Sequence, residues 1–237
     1  MAKLRIDIWS DIACPWCYVG KRRLEAALAT FPHRSDVEVV WRAFELDPSA
    51  PHAAAPAAGA SYAERLARKY GKRVADAEAM IQHLVSVAAA DGLEFRFDRI
   101  RPGNTFDAHR LVHLAHERGV QDAVKERLLR AYMTEGEAMS DPATLLRLAA
   151  EAGLDPDEVS AVLGSDRYAR EVRADEEEAA TLGIRGVPFF VIGRYAVSGA
   201  QPAEVLLRAL EQAWGEVSAA AKPAFAEGAA CGPDGCA

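Results

Sequence analysis

The run Ile8-Trp9-Ser10-Asp11-Ile12-Ala13-Cys14-Pro15-Trp16-Cys17-Tyr18-Val19-Gly20-Lys21 decides how this chain is read. Residues 4–9 place apolar Ile6 and Ile8 before Trp9, the pattern of a buried strand, and residues 18–30 space Val19, Leu24, Ala27 and Leu28 as a helix does. Ser10 and Asp11 provide turn chemistry between the two, so Cys14 falls at a strand-to-helix junction. Pro15 suits the first helical position, where its missing N–H costs nothing and its fixed φ already matches the helix.

That position gives the two cysteines different expected roles. A cysteine at a helix N-terminus has its thiolate stabilised by unpaired backbone N–H groups and the positive end of the helix dipole. Cys14 is therefore the expected nucleophile. Cys17, one turn later on the same face, is the expected resolving thiol, able to attack a mixed disulfide and release the substrate. C-x-x-C is also a zinc half-site, so the pair alone leaves redox and metal readings open. The strand-pair-helix context, the proline within the pair and a later Val187-Pro188 before a strand favour redox, with no metal and no cofactor.

Outward from the motif, a second strand is expected over residues 37–44. A Pro/Ala-rich connector over 48–59 then leads into helix signals. Ser61-Tyr62-Ala63-Glu64 has the form of a capping box, and Asp141-Pro142 and Asp155-Pro156 each place a capping acid before a first-turn proline. Gly119 and Gly153 stand where helices would stop. Strand character returns at 189–192 and 195–198 around a tight turn at Gly193-Arg194, and a last helix is expected over 202–214. The expected fold class is α/β, βαβ followed by a helical insertion and then ββα. Its parts are residues 1–46, an inserted all-helical domain over 47–185, residues 186–215, and a tail over 216–237 with no clear period.

The 237 residues carry a net charge of −7 and are half apolar, which allows a well-filled core and argues against a nucleic-acid partner. The N-terminus lacks the apolar run of a secretory signal, and no window offers the roughly 20 apolar residues of a membrane span. The expectation is a soluble, cytoplasmic protein without a membrane partner. Its four cysteines form two close pairs, Cys14 with Cys17 and Cys231 with Cys236. In a reducing compartment such pairs suggest redox chemistry or metal ligation rather than permanent cross-links.

The quoted run, with Asn104-Thr105-Phe106-Asp107-Ala108-His109-Arg110 and Gly186-Val187-Pro188-Phe189-Phe190, resembles the FrnE-like cytoplasmic branch of the DsbA family. The match runs to about Trp214. The resemblance implies a thioredoxin fold with an inserted helical domain over its catalytic face. It also implies a cis Pro188 against Cys14, with the Val187 backbone free to pair with an extended substrate segment. Trp16 is expected at the same substrate-binding surface.

In relatives an acid of the first strand lies near the resolving cysteine, and Asp7 approximately matches it. Asp7 is thus either a proton-transfer group or an edge acid facing solvent. Asn104, Phe106 and His109 match a patch on the insertion that faces the active site, although Asn104 could simply cap a helix and His109 simply pack. Some FrnE-like proteins carry an additional C-terminal pair like Cys231-Gly232-Pro233-Asp234-Gly235-Cys236, whose interior is turn chemistry throughout. The segment before it could extend about 50 Å at roughly 3.3 Å per residue, so an auxiliary redox pair within reach of Cys14 is expected. Zinc capture and an incidental tail disulfide are the alternatives.

The implied activity is exchange of protein disulfides, as reductase or isomerase, because net oxidation is uphill against a cytosolic thiol pool. Expected partners are disulfide-containing or unfolded proteins and a thiol reductant such as glutathione or a thioredoxin system. A kappa-type glutathione-dependent isomerase or transferase is the alternative within the same fold, but those relatives generally have serine where Cys14 stands. A redox-independent holdase is the non-enzymatic alternative.

Overall fold

A computed structural model describes residues 3–52, 60–220 and the strand residues 231–232 and 235–236. The chain enters through β1 (Leu4–Ser10) and crosses by α1 (Pro15–Thr30) to β2 (Val37–Ala43), which lies parallel to β1 with Ile6 opposite Val39. Much later, β3 (Phe189–Ile192) adds antiparallel to the other side of β1, and a hairpin at Gly193 leads into β4 (Tyr195–Ser198). Gly193 has φ +59°, a conformation that a side chain there would strain. The sheet order β2-β1-β3-β4 puts β1 at the centre of a thioredoxin fold.

Strand alternation sends the side chains of β1 to two different layers. Leu4, Ile6 and Ile8 are buried in the main core with Val19 and Leu24 of α1 and Leu206 and Leu210 of α9 (Ala203–Ala220). Trp9 faces the other way, against Ala179 of α8 (Ala169–Thr181) and Ile184, and donates from Nε1 to the Asp175 carbonyl at 2.8 Å.

Between β2 and β3 lie α2 (Tyr62–Tyr70), α3 (Val74–Ala90), α4 (Phe106–Glu117), α5 (Gln121–Arg130), α6 (Pro142–Glu151), α7 (Pro156–Leu163) and α8. Their starts follow the local chemistry. Ser61 and Glu64 close a reciprocal capping box, while Asp141 and Asp155 accept from the first-turn N–H groups of α6 and α7. Leu111, Leu128 and Leu145 share one continuous apolar cluster with Ile12, Tyr18 and Val19. The inserted helices are therefore joined to the sheet through a common core, where each fully buried leucine is worth about 1.5–3 kcal/mol.

One polar contact fixes α5 on the edge of β2. The Gln121 side chain accepts from the Trp41 N–H and donates to the Trp41 carbonyl, both at 3.0 Å, as a neighbouring strand would. Trp41 Nε1 donates to Asp122 at 3.0 Å. At Trp41 the open edge of β2 is thereby satisfied by a helix.

The last helix departs from the sequence expectation. It continues past Trp214 to Ala220 because Val217 extends the stripe of Leu206, Leu210 and Ala213 onto the core, a period hidden by the small residues around it. The expected tail therefore begins after residue 220 as far as the described residues go. No described helix is long and apolar enough to cross a membrane. Gln121→Ala should lower the free energy of unfolding in urea by about 2 kcal/mol, because it leaves a buried N–H and carbonyl of Trp41 unpaired. A loss below about 0.5 kcal/mol would mean that α5 does not depend on this pairing.

Candidate active site

The loop after β1 is tied by Asp11. Its carboxylate accepts from the N–H of Ala13 at 3.2 Å and of Leu46 at 2.8 Å, and its carbonyl accepts from the Cys14 N–H at 3.3 Å. Cys14 is thus held in extended conformation, φ −94° and ψ 112°, as the N-cap of α1, with Pro15 in the first turn. The Cys17 N–H donates to the Cys14 carbonyl at 3.0 Å and begins the helix. Cys14 is 5% exposed and Cys17 fully buried, so an incoming disulfide meets Cys14 first. Both are free thiols.

Facing them is the segment before β3. The Val187–Pro188 peptide is cis, and Cys14 Sγ lies 3.4 Å from the Val187 carbonyl. The Gly199 N–H holds the Pro188 carbonyl at 2.8 Å, while the Val187 N–H donates to no described residue. Gly20 makes the approach possible: a Cβ there would stand 2.9 Å from Pro188 Cγ and 3.2 Å from Phe190 Cζ. The backbone of half-buried Val187, beside a thiol at a helix N-terminus, suits an extended chain carrying a sulfur.

Buried charge surrounds Cys17. Burial pushes its thiol well above the ordinary cysteine value, and hydrogen bonding and charge from Cys14 push the same way, opposed by Lys125. Burial pulls Lys125 down to about 8, against the charges of Cys17, Asp11 and Cys14. Asp11 is buried too, which disfavours its ionised form. His109 Nε2, 3.4 Å from Oδ1, and the Leu46 N–H nonetheless hold the carboxyl below the usual range. On the insertion side, burial first and the Cys14 charge second push Tyr62 up to about 12.

The other expected site residues are distributed unevenly. Trp16 is half-buried and packs on the main core beside the dithiol. His109 reaches the Asp11 loop and so supports Cys14 indirectly. Asn104 holds elements together: its amide donates to Glu45 at 3.0 Å, and its Oδ1 accepts from the Phe106 N–H at 2.8 Å at the start of α4. The Phe106 ring lies under the Arg173 guanidinium at 4.4 Å.

Asp7 is not brought to the dithiol. It belongs to the α8 face of β1, where Arg42 Nε donates to it at 2.8 Å and Arg5 bonds it at 2.8 and 2.9 Å. Ile6 and Ile8 occupy the α1 face instead, and the two-residue period of the strand forbids Asp7 from sharing it. The backbones of Cys231 and Cys236 stand opposite each other in a two-residue antiparallel pair, and their side chains lie outside the described residues. Among the described residues no group of three or more His, Cys, Asp or Glu is arranged to hold a metal.

Sequence reading missed Lys125, Asp11 and Gly20. Lys125 had a signal, since it interrupts the buried stripe of Val124, Leu128 and Leu129 on α5. Asp11 and Gly20 had none beyond their proximity to the cysteines.

A family model described as a DSBA-like thioredoxin domain matches residues 5–211. The chain is 51% identical to a probable DsbA oxidoreductase from Streptomyces coelicolor, whose crystal structure gives a TM-score of 0.83 over 99% of this chain and 98% of that one. It is 29% identical over 212 residues to the protein YwbO of Bacillus subtilis, covering 87% of this chain and 96% of that protein. The cytosolic disulfide reductase DsbM of Pseudomonas aeruginosa, solved with GSH, has the same fold, with a TM-score of 0.59 and 18% identity over 92% of this chain and 98% of its own.

Gly20→Ala should separate α1 from Pro188. We expect a loss of about 1–3 kcal/mol in urea unfolding, together with slower attack of Cys14 on a model disulfide. Unchanged stability and rate would show that the Gly20 approach is dispensable.

Proposed function

The chain belongs to the DSBA-like thioredoxin domain family, and on that premise we propose that it reduces or isomerises disulfides of protein substrates in the cytoplasm, as a member of the FrnE-like branch. The observation that carries this reading is the placement of Cys14 at the N-cap of α1, 3.4 Å from the Val187 carbonyl, with Cys17 buried beneath it.

Cys14 thiolate attacks one sulfur of a substrate disulfide, forming a mixed disulfide and releasing the other substrate sulfur as a thiolate. For reduction, Cys17 then attacks Cys14 Sγ. The Cys14–Cys17 disulfide forms, the second substrate sulfur leaves, and two electrons have passed to the substrate. A thiol reductant such as glutathione, the ligand solved with the DsbM relative, restores the dithiol. For isomerisation the released thiolate attacks elsewhere in the substrate and no net electrons move. Val187 pairs with the substrate backbone beside the reacting sulfur, and Trp16 lines the same surface.

Cys231 and Cys236, opposite each other in their short strand pair, are proposed as an auxiliary pair that exchanges with Cys14. Insulin reduction and reactivation of scrambled ribonuclease test the whole reading together. Wild-type protein should catalyse at least one of them with glutathione as donor, Cys14→Ser should abolish the activity, and a Cys231→Ser/Cys236→Ser chain should turn over more slowly. Activity surviving Cys14→Ser would refute the dithiol mechanism, and unchanged turnover of the double serine chain would remove the auxiliary pair.

A further inference from the structure

β2 is an edge strand, and its outer side is covered over only part of its length. In a parallel ladder alternate residues turn their backbone groups to the same neighbour. Trp41 turns its N–H and carbonyl outward to Gln121, so Val37, Val39 and Ala43 turn theirs outward as well. The inserted helices meet the later groups one after another. Gln121 of α5 serves Trp41, Asp175 of α8 accepts from the Ala43 N–H at 2.8 Å, and Glu176 accepts from the Glu45 N–H at 3.2 Å. Before Trp41 the cover stops. Val37 gives its N–H to the Arg34 carbonyl, but its own carbonyl and both backbone groups of Val39 have no hydrogen-bond partner among the described residues.

The bare stretch borders a cavity of about 470 Å³ between α1 and the start of α5, floored by Leu24, Leu28, Val37, Val39 and Trp41. Strand alternation sends the three β2 side chains to the α1 face, where Val37 and Val39 are only half-buried. The two ends of this trough carry opposite charge. Exposed Arg34 stands at the start of β2. At the other end lie Asp122, fixed to Trp41 Nε1 at 3.0 Å, and Glu25, with side chains 63% and 43% exposed. Buried Lys21 is shared among Asp122, Glu25 and Glu126, and Arg22 bonds Glu25 and Glu126, so three acids face two cations there. A free donor and free acceptors along a strand edge, above an apolar trough, have the form of a place left for one more strand.

We propose that the bare edge of β2 is a second polypeptide-binding site, on which an extended segment of an unfolded chain adds as a fifth strand. The segment pairs with the Val39 N–H and with the carbonyls of Val37 and Val39, and lowers one apolar side chain onto Leu24 and Leu28. Its neighbours on the same face are a basic residue toward Asp122 and an acidic one toward Arg34. The site is remote from the dithiol: β2 runs parallel to β1, so its start lies at the end of the sheet opposite Cys14. It asks for no sulfur in its ligand and does not depend on exchange chemistry.

The probe is a fluorescent peptide without cysteine, in which Lys, Leu and Glu alternate with threonines. Its anisotropy should rise on titration with the whole chain. In the free protein the Val39 amide should exchange with solvent faster than that of Val40, which faces β1, and the peptide should slow it at least about tenfold. Val39→Pro removes the outward N–H without touching the ladder to β1. It should weaken binding at least about tenfold and leave attack of Cys14 on a model disulfide unchanged. Exchanging the probe's Leu for Asp should abolish binding, a control that needs no change to the protein. Binding that survives Val39→Pro, or that leaves the Val39 amide unprotected, overturns the proposal, as does no binding at all. A Val39 amide already protected in the free chain would give the edge to the chain's own C-terminal segment. A dimer in sedimentation that Val39→Pro dissociates would give it to a second copy, and either result overturns the proposal.

Discussion

Close packing between α1 and the chain before β3 is the constraint on which the site depends. Pro188 fits against α1 only because position 20 has no side chain, and this contact sets Cys14 Sγ 3.4 Å from the Val187 carbonyl. The two partners are far apart in sequence. Their meeting requires β3 to pair with β1, with Ile8 opposite Phe190, after α2 to α8 have intervened. An exchange site is thus created by tertiary assembly from a loop tied by Asp11, a helix N-terminus and the turn into a strand. None of these makes the site alone.

The inserted helices do more than cover the sheet. Their core is continuous with that of α1 and β1, and Gln121 completes the edge of β2 at Trp41. Through these contacts the insertion also brings two buried groups to the end of β1 and the loop after it, His109 beside Asp11 and Lys125 on the Ser10 carbonyl. Such groups are sensitive to small displacements because low-dielectric surroundings magnify each charge interaction. The rigid joint between helices and sheet is what makes their placement reproducible.

Much of this was legible in the sequence because it is governed by local rules. Cys14-Pro15 at a strand-to-helix junction, the capping residues Ser61, Asp141 and Asp155, and the hairpin at Gly193 all involve residues a few positions apart. The thioredoxin fold and the cis Val187–Pro188 came instead from family resemblance. Asp7 shows where that route fails. Position along a strand can be transferred between relatives, but the face a side chain occupies changes with a shift of one residue. Lys125 was missed for a different reason: a lysine in a helical stripe ordinarily reaches solvent, and only the docking of α5 on β2 closes that path. The end of α9 was obscured by Gly215 and the alanines near Ala220, whose weak apolar signal hid the contact of Val217.

The central claim is that Cys14, and not Cys17, makes the bond to substrate. Its most direct test is to incubate a Cys17→Ser/Cys231→Ser/Cys236→Ser chain, and a Cys14→Ser/Cys231→Ser/Cys236→Ser chain beside it, with a disulfide-linked peptide and to locate the adduct by mass spectrometric peptide mapping. The account predicts one stable mixed disulfide, on Cys14, released by added thiol. A Cys14 peptide recovered without an adduct, or an adduct formed on Cys17 instead, would contradict it.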